Sequence, residues 1–150
     1  MRQMVNGTAL AFDGRAVLLI GPSGAGKSDL ALRLIEGGAR LIADDLVELT
    51  RDGNQVMAGF PATAPAELRG RIEARGLGIV AVPAAERPAA LALVVEASAS
   101  DAIDRLPEDQ FSQWLGVEIP VLRLALLEAS APTKVRLALG HFSGSIIRPS

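Results

Sequence analysis

Gly21-Pro22-Ser23-Gly24-Ala25-Gly26-Lys27-Ser28 satisfies the spacing G-x-x-x-x-G-K-[ST] at every defined position. Glycines at those points let the backbone wrap an anion without Cβ clashes, and the exposed N–H groups of the loop and of the following helix then face it. A lysine at position 27 reaches β- and γ-phosphates, and the Ser28 hydroxyl offers one ligand position to Mg²⁺. The whole loop is therefore a candidate nucleotide cradle. A short way downstream, the run Arg40-Leu41-Ile42-Ala43 ends in two adjacent carboxylates, Asp44 and Asp45. An apolar strand ending in aspartate commonly holds the metal of such a site. The second carboxylate has a use only if a proton must be taken from an attacking alcohol, where general base catalysis contributes roughly 10²–10⁴-fold. Adjacent residues of an extended chain point to opposite sides, so both reach one cleft only if the chain twists there. The plainer reading is one functional aspartate and one turn or cap aspartate.

The elements that must position these groups can be read on either side of them. Thr8–Phe12 and Arg15–Ile20 are apolar runs joined by Asp13-Gly14, a hairpin signal because both central residues of a type I′ turn need positive φ. The second run is the buried strand that feeds the glycine loop. Lys27–Glu36 reads as a helix with Leu30, Leu32, Leu34 and Ile35 spread around it, and Gly37-Gly38 stops it. Ala39–Ala43 is a short strand ending at the aspartates. Residues 46–59 read as a second hairpin, turned by Asp52-Gly53. Phe60–Arg71 reads as a loop or short helix, Gly76–Val82 as a strand whose two glycines permit close approach or a bulge, and Pro83–Ala90 as a linker. Leu91–Ser98 is a continuous apolar strand, Asp101–Gln110 a loop or helical turn, Ile119–Leu127 the last strand, and Ala131–Phe142 a closing helix with Pro132 in its first turn. The fold class is α/β, a P-loop domain whose hairpins make the sheet mixed and not purely parallel.

Composition limits what such a site can serve. The 150 residues fit one compact domain, 1–150, with 49% hydrophobic and 21% charged residues. A net charge of −2 gives no bulk attraction to nucleic acid or anionic lipid, and 3% aromatic residues leave little to stack bases on. There is no cysteine, so thiolate metal sites and disulfides are excluded. No apolar run approaches a membrane span and the first residues lack a secretory pattern, so the expectation is a cytoplasmic protein with neither membrane nor nucleic-acid partner.

The stretches GPSGAGKSDLALRLIEGGARLIADDLVEL and RIEARGLGIVAV together resemble bacterial HPr kinase/phosphorylase, over about Val5 to Val82. The loop alone is generic; the ADD doublet at that separation, with IEARGLGI further on, is specific. The resemblance implies the C-terminal catalytic domain without the usual N-terminal domain, and a fold similar to the nucleotide-binding domain of phosphoenolpyruvate carboxykinase. It implies an ATP- and Mg²⁺-dependent kinase acting on a seryl hydroxyl of an HPr-like phosphocarrier of the phosphotransferase system. Inorganic phosphate drives the reverse step and pyrophosphate is its product. A homo-oligomer, often a hexamer, is implied as well. Carried over by position, Lys27 holds phosphates, Ser28, Asp45 and Glu73 lie on the metal side, and Asp44-Asp45 supplies the base, unassigned between the two. Arg75 and Gly76 lie in the segment tied to both activities, and Arg123 matches an arginine of the later segment.

Two departures stand out: the family's later segment is rich in proline, glycine and arginine, whereas here IPVLRLALLEAS keeps only Arg123 as a counterpart, and the strand before the loop differs. The family carries a histidine in the strand upstream of the loop, and this chain has Asn6 there. Asparagine donates and accepts hydrogen bonds but does not titrate near neutral pH. Elsewhere, His141 is the only histidine and has no partners for a metal site, Trp114 reads as a core or interface anchor, and Asp101, Asp104, Glu108 and Asp109 read as a solvated face. Two other functions fit the loop: a guanylate kinase-like small-molecule kinase, which needs an arginine-bearing lid not seen here, and a non-catalytic nucleotide-sensing module.

Overall fold

The computed structural model describes residues 1–142. The chain opens with β1 (Arg2–Asn6), β2 (Thr8–Phe12) and β3 (Arg15–Ile20), then α1 (Lys27–Glu36), β4 (Arg40–Ala43), β5 (Leu46–Asp52) and β6 (Gln55–Gly59). β7 (Arg71–Ala74), β8 (Gly78–Ala81), β9 (Ala89–Ala97), β10 (Gln110–Trp114), β11 (Val117–Leu124) and α2 (Ala131–Phe142) follow. Among the described residues nine strands form one mixed sheet, while β7 and β8 pair as a separate hairpin.

β9 is the axis of the sheet. It runs parallel to β3 along one side, and on the other it meets β6 at Ala89–Ala90 and β11 from Val94 onward, so the sheet forks there. Pro120, which has no N–H to offer, stands just before β11 joins β9 at Val121, where a strand tolerates such a residue. Leu93, Val94 and Val95 are fully buried on alternate faces, which is why β9 reads as an unbroken apolar run. One face carries the helices: Val17, Leu19, Leu93 and Val95 pack on Leu30 and Leu34 of α1 and Val135 and Leu139 of α2. Each fully buried leucine there contributes roughly 1.5–3 kcal/mol relative to exposure. The other face is covered by the sheet's own curl, with Val47, Leu49, Val56 and Ala58 meeting Leu18, Leu91 and Val94.

The Asp13-Gly14 turn has φ of 50° and 81°, as a type I′ hairpin requires, and α1 and α2 begin and end where the sequence predicts. Gly38 takes φ 111° at the end of α1, whereas Gly37 has an ordinary φ of −84° and lies against the flexible end of Arg136.

Several expectations need correction. Asp52 pairs with Gln55, so the second hairpin turns at Gly53-Asn54, with φ of 61° at Gly53 alone, the sign pattern of a type II′ turn. Pro83–Ala90 is not a free linker: Ala84 bridges Leu41 in parallel, Ala85 is buried, and Ala89 opens β9. β11 ends at Leu124, leaving 125–130 as a connection to α2. Gly76 and Gly78 have open space around them and serve a turn with positive φ, not a close approach. β1, β7 and β10 were not anticipated as strands. The β10–β11 hairpin turns at Leu115-Gly116 with φ of 49° and 81°.

Candidate active site

β3, β9 and β11 run in one direction, and β4 shares it because both β3 and β4 are antiparallel to β2. Their C-terminal ends therefore gather at one edge of the sheet, the usual ligand edge of an α/β fold. The glycine loop follows β3, the aspartate doublet follows β4, and Arg123 sits near the end of β11. Ile20, Glu96 and Arg123 form one row across β3, β9 and β11, immediately before the loop begins.

The loop is tightly set. Gly21 lies so close to β9 that a Cβ would come within 2.6 Å of the Ala97 Cβ. Gly26 caps α1 in the left-handed region at φ 101°, and its carbonyl accepts the first helical bond from Leu30 at 2.9 Å. Lys27 Nζ donates to the carbonyls of Gly21 and, at 3.2 Å, Pro22, so the ammonium lies across the mouth of the loop. Ser23, Gly24 and Ala25 form its outer rim, with the Ala25 N–H closing a turn onto the Pro22 carbonyl at 3.1 Å.

Asp44 is the convergence point. The Thr8 hydroxyl donates to its Oδ1 at 2.8 Å, the Ser28 Oγ stands 3.5 Å from the same oxygen, and the N–H groups of Asp45 and Glu73 also turn toward the carboxylate. Burial pushes its pKa above the usual 3.8, and the neighbouring Asp45 charge adds to that, while the Thr8 bond and the two backbone donors pull it back. Asp45 is exposed. The Leu46 N–H donates to the Asp44 carbonyl at 2.9 Å across Asp45, whose φ of 69° is that of the rarer, strained γ-turn. This turn supplies the twist that two adjacent aspartates need in order to share one edge. The Gly7 N–H holds the Asp45 carbonyl at 3.1 Å, and Asn6 pairs with Leu46 across β1 and β5, so Asn6 is next to the turn, where the resemblance puts a histidine.

Ser28 therefore meets Asp44, and it is Asp44, not Asp45, that stands on the serine's side. Glu73 is brought to the site through its peptide N–H, and its side chain is exposed on β7. Arg75 and Gly76 lie two and three residues further, in the exposed β7–β8 turn with φ 86° at Gly76. Arg123 is exposed, and its Nε donates to Ser98 Oγ at 3.2 Å beyond the end of β9. Among the described residues no three His, Cys, Asp or Glu side chains form a metal cage. A serine hydroxyl beside one carboxylate suits a hard cation such as Mg²⁺, which keeps waters and takes phosphate oxygens as further ligands.

Two contributors escaped sequence reasoning. Thr8 is 1% exposed and carries the shortest side-chain bond to Asp44. Its signal in the sequence was a polar residue opening an otherwise apolar strand. Arg33 donates to the carbonyls of Leu126 and, at 2.9 Å, Glu128, while paired with Asp29 at 2.9 Å; it ties the β11–α2 connection to α1.

The remaining candidates fall outside the site. His141 pairs with Asp109 at 3.2 Å, and Trp114 packs on the second core with its Nε1 donating to Ser112 at 2.7 Å. Asp101, Asp104 and Glu108 are exposed. A cleft of about 330 Å³ opens at the opposite edge, between Arg15, Leu91, Ile119 and Phe142, and contains no loop residue. A phosphate is held by a rim of N–H groups, which need not enclose a cavity.

The sequence profile of the HPr Serine kinase C-terminal domain matches residues 1–135. The chain belongs to this family. The match runs well beyond Val82, taking in Arg123 and the start of α2. Similar proteins include the HPr kinase/phosphorylase of Caldanaerobacter subterraneus subsp. tengcongensis, 36% identical over 130 residues, covering 80% of this chain and 42% of that protein. That of Bordetella pertussis is 38% identical over 137 residues, covering 85% and 42%. That of Levilactobacillus brevis is 44% identical over 81 residues, covering 54% and 25%. The chain thus spans less than half the length of these family members. The solved Hpr(Ser) kinase/phosphatase from Coxiella burnetii superposes with a TM-score of 0.73 at 24% identity, over 95% of this chain and 96% of that one, which shows a shared fold.

Proposed function

We propose that this chain is a phosphotransferase domain that moves the γ-phosphoryl group of ATP to a seryl hydroxyl of an HPr-like phosphocarrier protein, with phosphorolysis of the phosphoserine as the reverse. One observation carries the reading: the Asp44 carboxylate, held by Thr8, lies against Ser28 at the start of the phosphate-loop helix. Lys27 and the loop N–H groups would hold the β- and γ-phosphates. Ser28 and Asp44 would hold Mg²⁺, with Glu73 on the same side; the cation supplies neutralisation of the phosphate oxygens. Asp44 already accepts several donors, whereas the exposed Asp45 has room for an incoming alcohol. We therefore give Asp45 the base role and Asp44 the metal side.

In the forward direction Asp45 takes the seryl proton as the oxygen bonds to the γ-phosphorus and the bond to ADP breaks. In reverse, an oxygen of inorganic phosphate attacks the phosphoserine, pyrophosphate forms, and the carboxylic acid returns its proton to the seryl oxygen. Arg123, in the row next to the loop, and Arg75 with Gly76, on the β7–β8 turn, would face the phosphocarrier or a neighbouring subunit. The names of the relatives support HPr as substrate, and a homo-oligomer in the cytoplasm fits this reading.

Labelled ATP incubated with the HPr-like phosphocarriers of the same cell should give labelled phosphoserine, and added phosphate should release it as pyrophosphate. Transfer to GMP but to no phosphocarrier would favour a small-molecule kinase. A second reading, a nucleotide-sensing module, is favoured by Asn6 beside the Asp45 turn. It would prevail if wild type and an Asp44→Asn/Asp45→Asn variant bound ATP equally and neither transferred phosphate.

A further inference from the structure

The N-terminus of α1 has two unlike flanks. Ser28 faces Asp44, while Gly26, two residues earlier, faces Leu127: a Cβ on Gly26 would come within 2.7 Å of Leu127 Cδ2 and 2.9 Å of its Cγ. β4, which ends at Asp44, and β11, which leads to Leu127, lie on opposite sides of β3, which feeds the loop, so the carboxylate and the leucine stand on opposite sides of the phosphate cradle. A nucleoside triphosphate with its terminal phosphoryl group at Asp44 directs its nucleoside toward the other flank, where the β11–α2 connection lies.

That connection is held in place. Leu126 is buried in the helix-side core, and the carbonyls of Leu126 and Glu128 both accept from Arg33, itself paired with Asp29. Leu127, between them, is left 65% exposed against the loop. A purine needs an apolar face to lie on, and this chain has four phenylalanines, one tryptophan and no tyrosine. All of them are engaged elsewhere. Phe12 lies under Arg136, Phe60 under Arg69, Phe111 against Phe142, and Trp114 on the second core. The apolar surface at the cradle is aliphatic.

We infer that Leu127 is the platform for the base and ribose of the bound nucleotide, positioned by Arg33 from within the same helix that holds the phosphates. The inference rests on the phosphotransferase reading given above and adds the nucleoside half of its nucleotide site. It implies that part of the nucleotide affinity can be removed without touching phosphate binding.

The test is calorimetric titration of wild type, Leu127→Ser and Leu127→Met with ATP and with inorganic tripolyphosphate, both with Mg²⁺. Leu127→Ser should weaken ATP about tenfold, the order that covering an exposed leucine supports, and leave tripolyphosphate unchanged. Leu127→Met should restore most of the ATP affinity. Unchanged ATP affinity in Leu127→Ser, or an equal loss for tripolyphosphate, overturns the platform while the phosphate cradle stands. Failure of wild type to bind either ligand overturns the cradle itself, and the platform with it.

Discussion

Thr8→Val replaces a hydroxyl by a methyl of similar size at a position 1% exposed, and removes the 2.8 Å donor to Asp44 Oδ1. A hydrogen bond to an ionised group is worth roughly 1.5–3 kcal/mol. Asp44 is only half-buried and keeps the Asp45 and Glu73 N–H groups, so a loss of about 1.5 kcal/mol, the low end, is expected at neutral pH. The sign of the pH dependence follows from the carboxyl's raised pKa. The folded chain binds this proton more tightly than the unfolded chain does. The group's contribution is therefore best in acid and falls as pH rises from the usual 3.8 through the folded value. Removing Thr8 takes away a group that pulls the pKa down, so the folded value climbs and that window extends upward. The destabilisation by Thr8→Val should thus be largest above the window and shrink in acid. Urea unfolding of both proteins between about pH 4 and pH 8 measures it, with the unfolded state as common reference. The acid limb of phosphotransfer should move to higher pH in parallel. A loss independent of pH would mean that Thr8 only fills space, and would refute the view that it governs the carboxylate.

Three further outcomes are expected. Lys27→Ala should lower the transfer rate by about 10²–10³-fold, as loss of one preorganised charge at a migrating phosphoryl group does; full activity in a phosphotransfer assay would contradict the cradle assignment. Gly21→Ala should destabilise by about 1–3 kcal/mol through the Ala97 contact, and Ala97→Gly in the same chain should recover part of it in thermal melts. No recovery would assign the need for glycine to the backbone angle of 153° alone. Asn6→His places a titrating group beside the Asp45 turn, so the rate should acquire a new pH dependence between about pH 6 and 8. An unaltered profile would show that position 6 does not reach the chemistry.

The parts of the site legible in the sequence are those set by local chemistry. The loop, the helix it caps and the Asp13-Gly14 hairpin each rest on a short run whose residues dictate their own backbone. The aspartate doublet was legible as a pair, but which of the two lies beside Ser28 was not, because that depends on the γ-turn about Asp45. Leu115-Gly116 turns a hairpin with a leucine in the left-handed region, so no turn-favouring dipeptide announced β10. β1 is mostly exposed at the sheet edge, and its polar residues gave no alternation to read. Thr8 and Arg33 act across 36 and 95 residues of sequence, and only the closed sheet and the docked α2 bring their partners near.

Asp45 sits where two demands on one residue diverge. Its φ of 69° is a conformation glycine adopts freely, and among residues with side chains aspartate is one of the few that tolerate it. A chain tuned for thermal endurance alone would carry glycine at 45 and unfold later. In the proposed reaction it would also present a bare backbone to the incoming alcohol. Any campaign that ranks variants of this domain by melting temperature will therefore be drawn toward a sturdier protein that lacks, at the bend, the carboxylate proposed to accept the proton.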